Sequence, residues 1–120
     1  MHKIKELKIW NRAMDLAVDV YKATEKFPNE EKFGLTSQIR RSAVSIPSNI
    51  SEGAGRNSNK EFNQFIGIAN GSSFELQTQI ILANRLELLG NESSEVLLKE
   101  IDELQKMSYS FQKCLDVKVK

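Results

Sequence analysis

Apolar residues recur every three or four positions along most of the chain, with charged residues between them. This spacing is typical of amphipathic helices, in which one apolar stripe faces a core. No segment alternates apolar and polar residues with the period of two that a strand requires. The pattern predicts four helices, at about residues 9–26, 35–52, 59–89 and 94–116.

Short breaks separate the predicted helices. Phe27 precedes Pro28 and is therefore disfavoured in the helical region, so the first helix ends there. Gly53-Ala54-Gly55 predicts a helix C-cap followed by a turn, and Gly90-Asn91 predicts the end of the third helix. Links this short join antiparallel neighbours. We therefore expect an all-α, antiparallel, up-and-down four-helix bundle that forms one domain over residues 1–120.

Local signals refine the helix ends. Ser58 and Glu61 stand three residues apart before an apolar run, which predicts a capping box at the start of the third helix. Ser93 or Ser94 is expected to cap the fourth helix. Pro47 interrupts the second helix, where it removes one backbone hydrogen bond and is expected to bend the helix.

The composition is that of an ordinary globular protein, with 40% hydrophobic and 28% charged residues. One cysteine and one histidine exclude an intrachain disulfide and supply no set of metal ligands, so we expect no cofactor and a cytoplasmic protein. No run approaches the ~20 apolar residues that span a membrane. The net charge of +1 means that any nucleic-acid binding depends on how charge is distributed.

The sequence contains no recognisable catalytic arrangement. The glycines of Gly53-Ala54-Gly55 do not follow a strand and lack the third glycine or the Gly-Lys-Ser/Thr of a nucleotide loop. No Gly-x-Ser-x-Gly motif presents a serine nucleophile. We therefore predict that the protein is not an enzyme.

Basic residues gather at two places in the sequence. The first dozen residues include Lys3, Lys5, Lys8 and Arg12. A second group flanks the link between the second and third helices, and it consists of Arg40, Arg41, Arg56 and Lys60. Because a helix N-terminus favours anions, this group is a candidate phosphate-binding site. Exposed charge also serves solubility, and Arg41 could instead pair with a carboxylate inside the bundle.

The third helix carries more apolar and small residues than one packing seam requires. Phe65 and Phe74 lie beside or outside the core stripe, and Gly67 and Gly71 lie four residues apart in mid-helix. Each such glycine costs about 1 kcal/mol relative to alanine, and it lets another backbone approach closely. These four residues predict either tight packing within the bundle or an interface between subunits.

Several segments together resemble the four-helix bundle family first named from open reading frames in 23S rRNA intervening sequences. The resemblance covers nearly the whole chain and is densest between Phe27 and Leu76. It is carried by Phe27-Pro28 with Glu31, residues 34–41, residues 45–50, Glu52-Gly53, Gly55-Arg56, residues 69–72 and Glu75-Leu76.

The resemblance implies an up-and-down bundle that assembles as a ring-like homopentamer. It also implies kinship with accessory proteins of diversity-generating retroelements, which look like nucleic-acid binders. We therefore expect a homo-oligomer that binds nucleic acid, RNA rather than DNA, through phosphate contacts. The alternative is a scaffold that docks a partner protein and has no nucleic-acid role.

Overall fold

The computed structural model describes residues 3–119, and it describes side chains as far as Asp116. Within that range the chain forms four α-helices and no strand. The helices are α1 (Lys8–Thr24), α2 (Leu35–Ala54), α3 (Asn59–Arg85) and α4 (Asn91–Val119), and short 3-10 turns lie at Ile4–Glu6 and Asn29–Glu31. The predicted all-α bundle is confirmed.

Neighbouring helices run antiparallel, because two contacts in each of three pairs of helices join residues in reversed order. Ser45 with Ser72 and Gly53 with Phe65 show this for α2 and α3, and Gln77 with Gln105 and Asn63 with Asp116 show it for α3 and α4. Arg12 with Glu103 and Asp19 with Glu100 show it for α1 and α4. The bond that joins α1 to α2 runs from Arg40 Nε to Thr24 Oγ1, over 2.9 Å. The hydroxyls of Ser45 and Ser72 lie 2.9 Å apart and join α2 to α3. Towards α4, the bonds are Gln105 Nε2 to Gln77 Oε1 (3.0 Å) and Asn63 Nδ2 to Asp116 Oδ1 (3.0 Å). In addition α1 packs on α4, which closes the bundle.

The apolar stripes of the four helices meet in one continuous core. Its fully buried side chains recur at the predicted helical spacing, because each lies on the face that turns towards the neighbouring helices. The largest of them include Leu16, Val20, Ile39, Ile46, Ile50, Phe62, Ile66, Leu76, Ile80, Ile101 and Leu115. Burial of this stripe on every helix is the main stabilising contribution.

Helix α2 extends through the glycines that the sequence marked as a turn. Gly53 lies inside the helix, and neither Gly53 nor Gly55 has a positive φ. A Cβ on Gly53 would lie 2.7 Å from Phe65 Cβ and 2.8 Å from Phe62 Cδ1. The glycine is therefore required by the close approach of α2 and α3, and the turn prediction was wrong at this residue.

Helix α3 ends at Arg85, four residues before the predicted end. Glu87 adopts a left-handed conformation with φ 61°. Its N–H donates to the Asn84 carbonyl over 3.0 Å, and the Leu88 N–H donates to the Ala83 carbonyl over 2.9 Å. These bonds form a Schellman motif, in which glutamate occupies the position that glycine usually takes.

The helix starts agree with the sequence signals at α3 and differ at α4. Ser58 Oγ accepts the Glu61 N–H over 3.2 Å, as a capping box predicts. Helix α4 begins at Asn91, so Ser93 and Ser94 lie inside it. Asn84 Nδ2 donates to Asn91 Oδ1 over 2.8 Å and thereby ties the end of α3 to the start of α4.

Candidate nucleic-acid interface and apolar surfaces

The four predicted nucleic-acid residues do not form one cluster. Helix α2 runs without a break between Arg40 and its end at Ala54, and Arg56 follows two residues later. At ~1.5 Å per residue, about 22 Å along the helix axis separates Arg41 from Arg56. The predicted clustering around one helix start was wrong, because the continuous helix carries the two pairs to opposite ends of the bundle.

Arg40 is committed to holding α1 against α2. Its Nε donates to Thr24 Oγ1 over 2.9 Å and its Nη2 donates to the Tyr21 carbonyl over 3.3 Å. The guanidinium also lies over the Tyr21 ring, 4.5 Å from the centroid. Planar stacking combined with hydrogen bonds is a structural use of arginine. We therefore remove Arg40 from the candidate interface.

Arg41 is exposed, and it forms no ion pair with any residue that the structure describes. The internal carboxylate pairing considered above is not present. The polar contact that joins the middle of α2 to α3 is instead a short network, in which Asn49 Nδ2 donates to Ser45 Oγ over 3.0 Å and Ser45 bonds to Ser72.

Arg56 and Lys60 lie together at the other end of α2. The Arg56 guanidinium lies 3.5 Å from a Glu52 carboxylate oxygen and 4.7 Å from the centroid of the Phe65 ring. Lys60 is exposed in the first turn of α3. The Glu61 carboxylate accepts the Ser58 hydroxyl at this helix start, over 3.2 Å. An internal carboxylate therefore already occupies part of the anion-binding position, so exposed cations must provide most of the attraction for phosphate.

The fold brings the N-terminal basic group to this same end of the bundle. Helices α1 and α3 begin here, and α2 and α4 end here. Arg12 is paired with Glu103 on α4, so these two charges balance, as those of Arg56 and Glu52 do within this end. Among the side chains that the structure describes at this end, six are basic, namely Lys3, Lys5, Lys8, Arg56, Lys60 and Lys113. They outnumber the four described acidic side chains there, Glu6, Glu52, Glu61 and Asp116. We call the surface formed by the six basic residues the basic end.

Two acidic side chains, Asp19 of α1 and Glu100 of α4, lie next to each other where these helices pack. Burial and the neighbouring Asp19, which shares a hydrogen bond with it, raise the pKa of Glu100 to about 7. Glu103 raises this pKa further, and Arg12 opposes the shift. Glu100 Oε2 is buried and has no hydrogen-bond partner among the described residues. The α1–α4 seam therefore holds two neighbouring carboxyl groups, and this environment favours the protonated form of Glu100.

The four residues of the predicted subunit interface lie on two different sides of α3. Gly67, Gly71 and Phe74 share the outer face of α3, and the Phe74 side chain is 53% exposed. A Cβ on Gly71 would meet no described atom within 4 Å, so packing inside the bundle does not explain this glycine. Phe65 lies on the side of α3 that packs against Gly53, and it does not belong to the outer face.

A second apolar surface is a groove between α1 and α2. It forms an open cavity of about 780 Å³. We call it the α1–α2 groove, and its apolar lining includes Trp10, Met14, Val18, Tyr21, Val44 and Pro47. Met14, Val18, Tyr21 and Val44 are between 39% and 49% exposed. The groove was not predicted from the sequence, although Val18 and Val44 are apolar residues outside the core stripes, which is a signal of a second surface.

Two classes of site are not found among the residues that the structure describes. No group of three or more His, Cys, Asp or Glu side chains is placed to hold a metal ion. In the same part of the chain, no helix combines the length and the apolar character that crossing a membrane requires.

The architecture is that of a four-helix bundle with a basic end and exposed apolar faces. A profile of the 23S rRNA-intervening sequence protein family matches residues 5–110, and the chain belongs to this family. A crystal structure of a protein with unknown function from the S23 ribosomal protein family of Bacteroides thetaiotaomicron has a TM-score of 0.81 and 27% identity to this chain, and the match covers 88% of this chain and 95% of that one. A comparison with curated proteins gave no significant match.

Proposed function

We propose that the protein is a non-enzymatic, homo-oligomeric helical bundle that binds structured RNA through phosphate contacts at the basic end. The observation that supports this proposal is that residues distant in sequence, Lys5, Lys8 and Lys60 among them, lie at one end of the bundle. A surface that gathers positive charge on a nearly neutral chain attracts a polyanion without requiring a high net charge.

The chemistry of the basic end favours backbone contacts over base stacking. Its exposed groups are mainly lysine ammonium groups, which act as point charges towards phosphate. Tyr109 is exposed nearby, but the Lys113 ammonium lies over its ring, 4.6 Å from the centroid. Double-stranded RNA is recognised mainly by its shape, its phosphates and its 2′-hydroxyls.

Self-association strengthens this proposal. The resemblance to the family implies a homopentamer, and in a ring each copy presents the same basic end. Contacts from several copies to one RNA add together, so a modest charge per chain becomes a substantial binding surface. The unexplained Gly71 and the exposed Phe74 on the outer face of α3 support an interface between copies.

The test is a fluorescence-anisotropy titration with an RNA hairpin, single-stranded RNA and duplex DNA, each at several salt concentrations. We expect the hairpin to bind most tightly, with an affinity that falls steeply as salt increases. Lys8→Glu with Lys60→Glu should lower the affinity and reduce the magnitude of the logarithmic salt slope by about 2, since each lost phosphate contact removes about one unit.

The matched control is Lys26→Glu with Lys99→Glu, which makes the same change of charge at exposed lysines outside the basic end. This control should lower the affinity less and leave the slope close to that of the wild type. Equal effects of the two double variants would show that net charge, not the basic end, governs binding. No binding of any probe at low salt would refute the RNA proposal.

The exposed apolar surfaces favour a second candidate function, a scaffold that docks a partner protein. Monomeric proteins seldom leave large contiguous apolar surfaces in water. In that case the basic end serves solubility alone. Absence of RNA binding together with salt-insensitive association through the apolar faces would favour this second function.

A further inference from the structure

The α1–α2 groove and the outer face of α3 are both exposed and apolar, and one is concave where the other is the convex surface of a helix. The groove is a long apolar depression between two helices. The outer face of α3 has Phe74 and Leu82 exposed and has no side chain at Gly67 and Gly71. It borders α4, since a Cβ on Gly67 would lie 3.5 Å from Gln112 Nε2 and Phe74 lines a depression together with Tyr109. A helix that carries glycines on its contacting face can approach two other helices closely.

The two surfaces also lie at matching levels along the bundle. The hydrogen bond between Ser45 and Ser72 places these two residues side by side. Arg41 precedes Ser45 by four residues, or about 6 Å along α2. Glu75 follows Ser72 by three residues, or about 4.5 Å along α3, which runs in the opposite direction. Arg41 and Glu75 therefore lie at nearly the same level.

Charges at this level are complementary between the two surfaces. Lys22 lines the groove, and Arg41 lies one helical turn before Val44 on the groove side of α2. Glu75 lies one turn after Gly71 and borders the outer face of α3. All three side chains are exposed, and none forms an ion pair with a described residue. Rotation of a second copy about an axis parallel to the helices preserves the levels, so its Glu75 would face Lys22 and Arg41.

We propose that the α1–α2 groove of one copy receives the outer face of α3 of a second copy, with Phe74 in the groove and Glu75 beside Lys22 and Arg41. This inference rests on the self-association proposed above and specifies its geometry. The contact is heterologous, since each copy contributes a different surface to each of its two neighbours, and such contacts generate rings when the rotation closes.

The test uses two variants that each block one surface. Val44→Glu places a charge in the groove, and Gly71→Arg places a large side chain on the outer face. Both positions are exposed and both variants should fold, which circular dichroism checks. Native mass spectrometry then gives the assembly mass of each variant and of their equimolar mixture.

A heterologous contact predicts that each variant alone is monomeric and that the mixture of the two variants forms a dimer. Each variant alone should have the protomer mass of 13.6 kDa, because every contact in a homogeneous assembly includes one blocked surface. The mixture should form a complex of two chains, since the intact groove of the Gly71→Arg chain can accept the intact α3 face of the Val44→Glu chain. No further chain can add to that complex.

Other outcomes would overturn the proposal. If Val44→Glu keeps the wild-type assembly mass, α3 pairs with another surface, for example with α3 of a second copy. A mixture that stays at the protomer mass would also contradict a heterologous contact. Val96→Glu and Gly90→Arg are the matched controls, because both residues are exposed and neither belongs to the two surfaces. Each control should keep the wild-type mass.

These measurements contain no RNA, so their failure is distinct from failure of the RNA proposal. A wild-type protein with the protomer mass would refute self-association itself. A wild-type oligomer that the groove variant does not disrupt would refute the groove alone, and the anisotropy titration would still report on the basic end.

Discussion

Gly53 of α2 and Phe65 of α3 pack so closely that a Cβ on the glycine would lie 2.7 Å from the phenylalanine Cβ. Both atoms belong to rigid parts of the helices, so the clash could not be relieved by moving the end of a flexible side chain. The same glycine would also bring its Cβ within 3.2 Å of the Phe62 carbonyl oxygen. This contact sets the spacing of α2 and α3 next to the basic end.

Gly53→Ala should therefore destabilise the bundle, although alanine is the better helix former. We expect a loss of about 1–3 kcal/mol in the free energy of unfolding, as for other overpacked sites. Urea denaturation at fixed protein concentration measures it. Gly55→Ala is the control, because its Cβ would make contacts of 3.6 Å or more at an ordinary φ of −85°. A neutral Gly53→Ala would mean that the two helices can separate without cost.

Glu87→Gly should stabilise the protein. Glu87 has φ 61°, a conformation that costs an L-residue with a Cβ roughly 1–2 kcal/mol and costs glycine little. Glycine also loses more chain entropy on folding, so the expected net gain is about 0.5–1 kcal/mol in the free energy of unfolding. Thermal and urea denaturation measure it. Glu87→Ala keeps the Cβ and should gain nothing, and an equal gain in both variants would attribute the effect to the lost charge.

Stability should fall as the pH rises between about 4.5 and 7, because of Glu100. Its pKa is about 7 in the folded protein and 4.5 as an ordinary glutamate, so between these values the folded state binds more protons than the unfolded chain. Ionisation of Glu100 places a negative charge in a partly buried site beside Asp19, which is unfavourable in the folded state. The destabilisation is complete once the pH exceeds the folded-state pKa.

Glu100→Gln should remove this pH dependence, because the amide resembles the protonated acid. We expect the variant to be more stable than the wild type at pH 8 by on the order of 1 kcal/mol, after allowance for solvent screening. The difference should vanish near pH 4. Denaturation curves at a series of pH values measure it, with Glu95→Gln as the exposed control on the same helix. A difference that does not vary with pH would show that folding does not raise the pKa of Glu100.

Arg40→Lys should weaken the packing of α1 on α2 while preserving charge. Lysine cannot reproduce the paired hydrogen bonds to Thr24 and Tyr21 or the planar stacking on the Tyr21 ring. We expect a loss of about 1–2 kcal/mol in the free energy of unfolding, from the hydrogen bonds and the stacking together. The salt slope of RNA binding should not change, and a reduced slope would return Arg40 to the RNA interface.

The separation of the four predicted RNA-binding residues illustrates where sequence reasoning stopped. Arg40, Arg41, Arg56 and Lys60 are close in the sequence, and a bent or broken second helix would have brought them together. Whether Pro47 breaks the helix depends on the surrounding packing, and here Pro47 is buried inside a continuous α2. The N-terminal lysines form a separate group in the sequence. In the structure they lie near Lys60, because α1 and α3 both begin at the same end of the antiparallel bundle.

The outer face of α3 was recognised in part from the sequence. The two mid-helix glycines, Gly67 and Gly71, were visible in the sequence. Packing within the bundle and an interface between subunits could not be distinguished there, because helical periodicity shows which residues share a face but not what covers that face. The open space beside Gly71 favours an interface for that glycine, whereas a Cβ on Gly67 would make an ordinary contact of 3.5 Å with Gln112 Nε2 of α4. Phe65 was grouped with this face by composition, although its position on the helix turns it towards Gly53.

The sequence by itself determined that the chain forms four amphipathic helices with one apolar core, because the spacing of apolar residues is a local property that each helix expresses on its own. It also determined the capped start of α3, where Ser58 and Glu61 act within one turn. Only the tertiary structure decided which charges share an end, why Gly53 must be glycine and where the α1–α2 groove lies. These properties depend on distances between helices, which follow from packing the side chains of all four together.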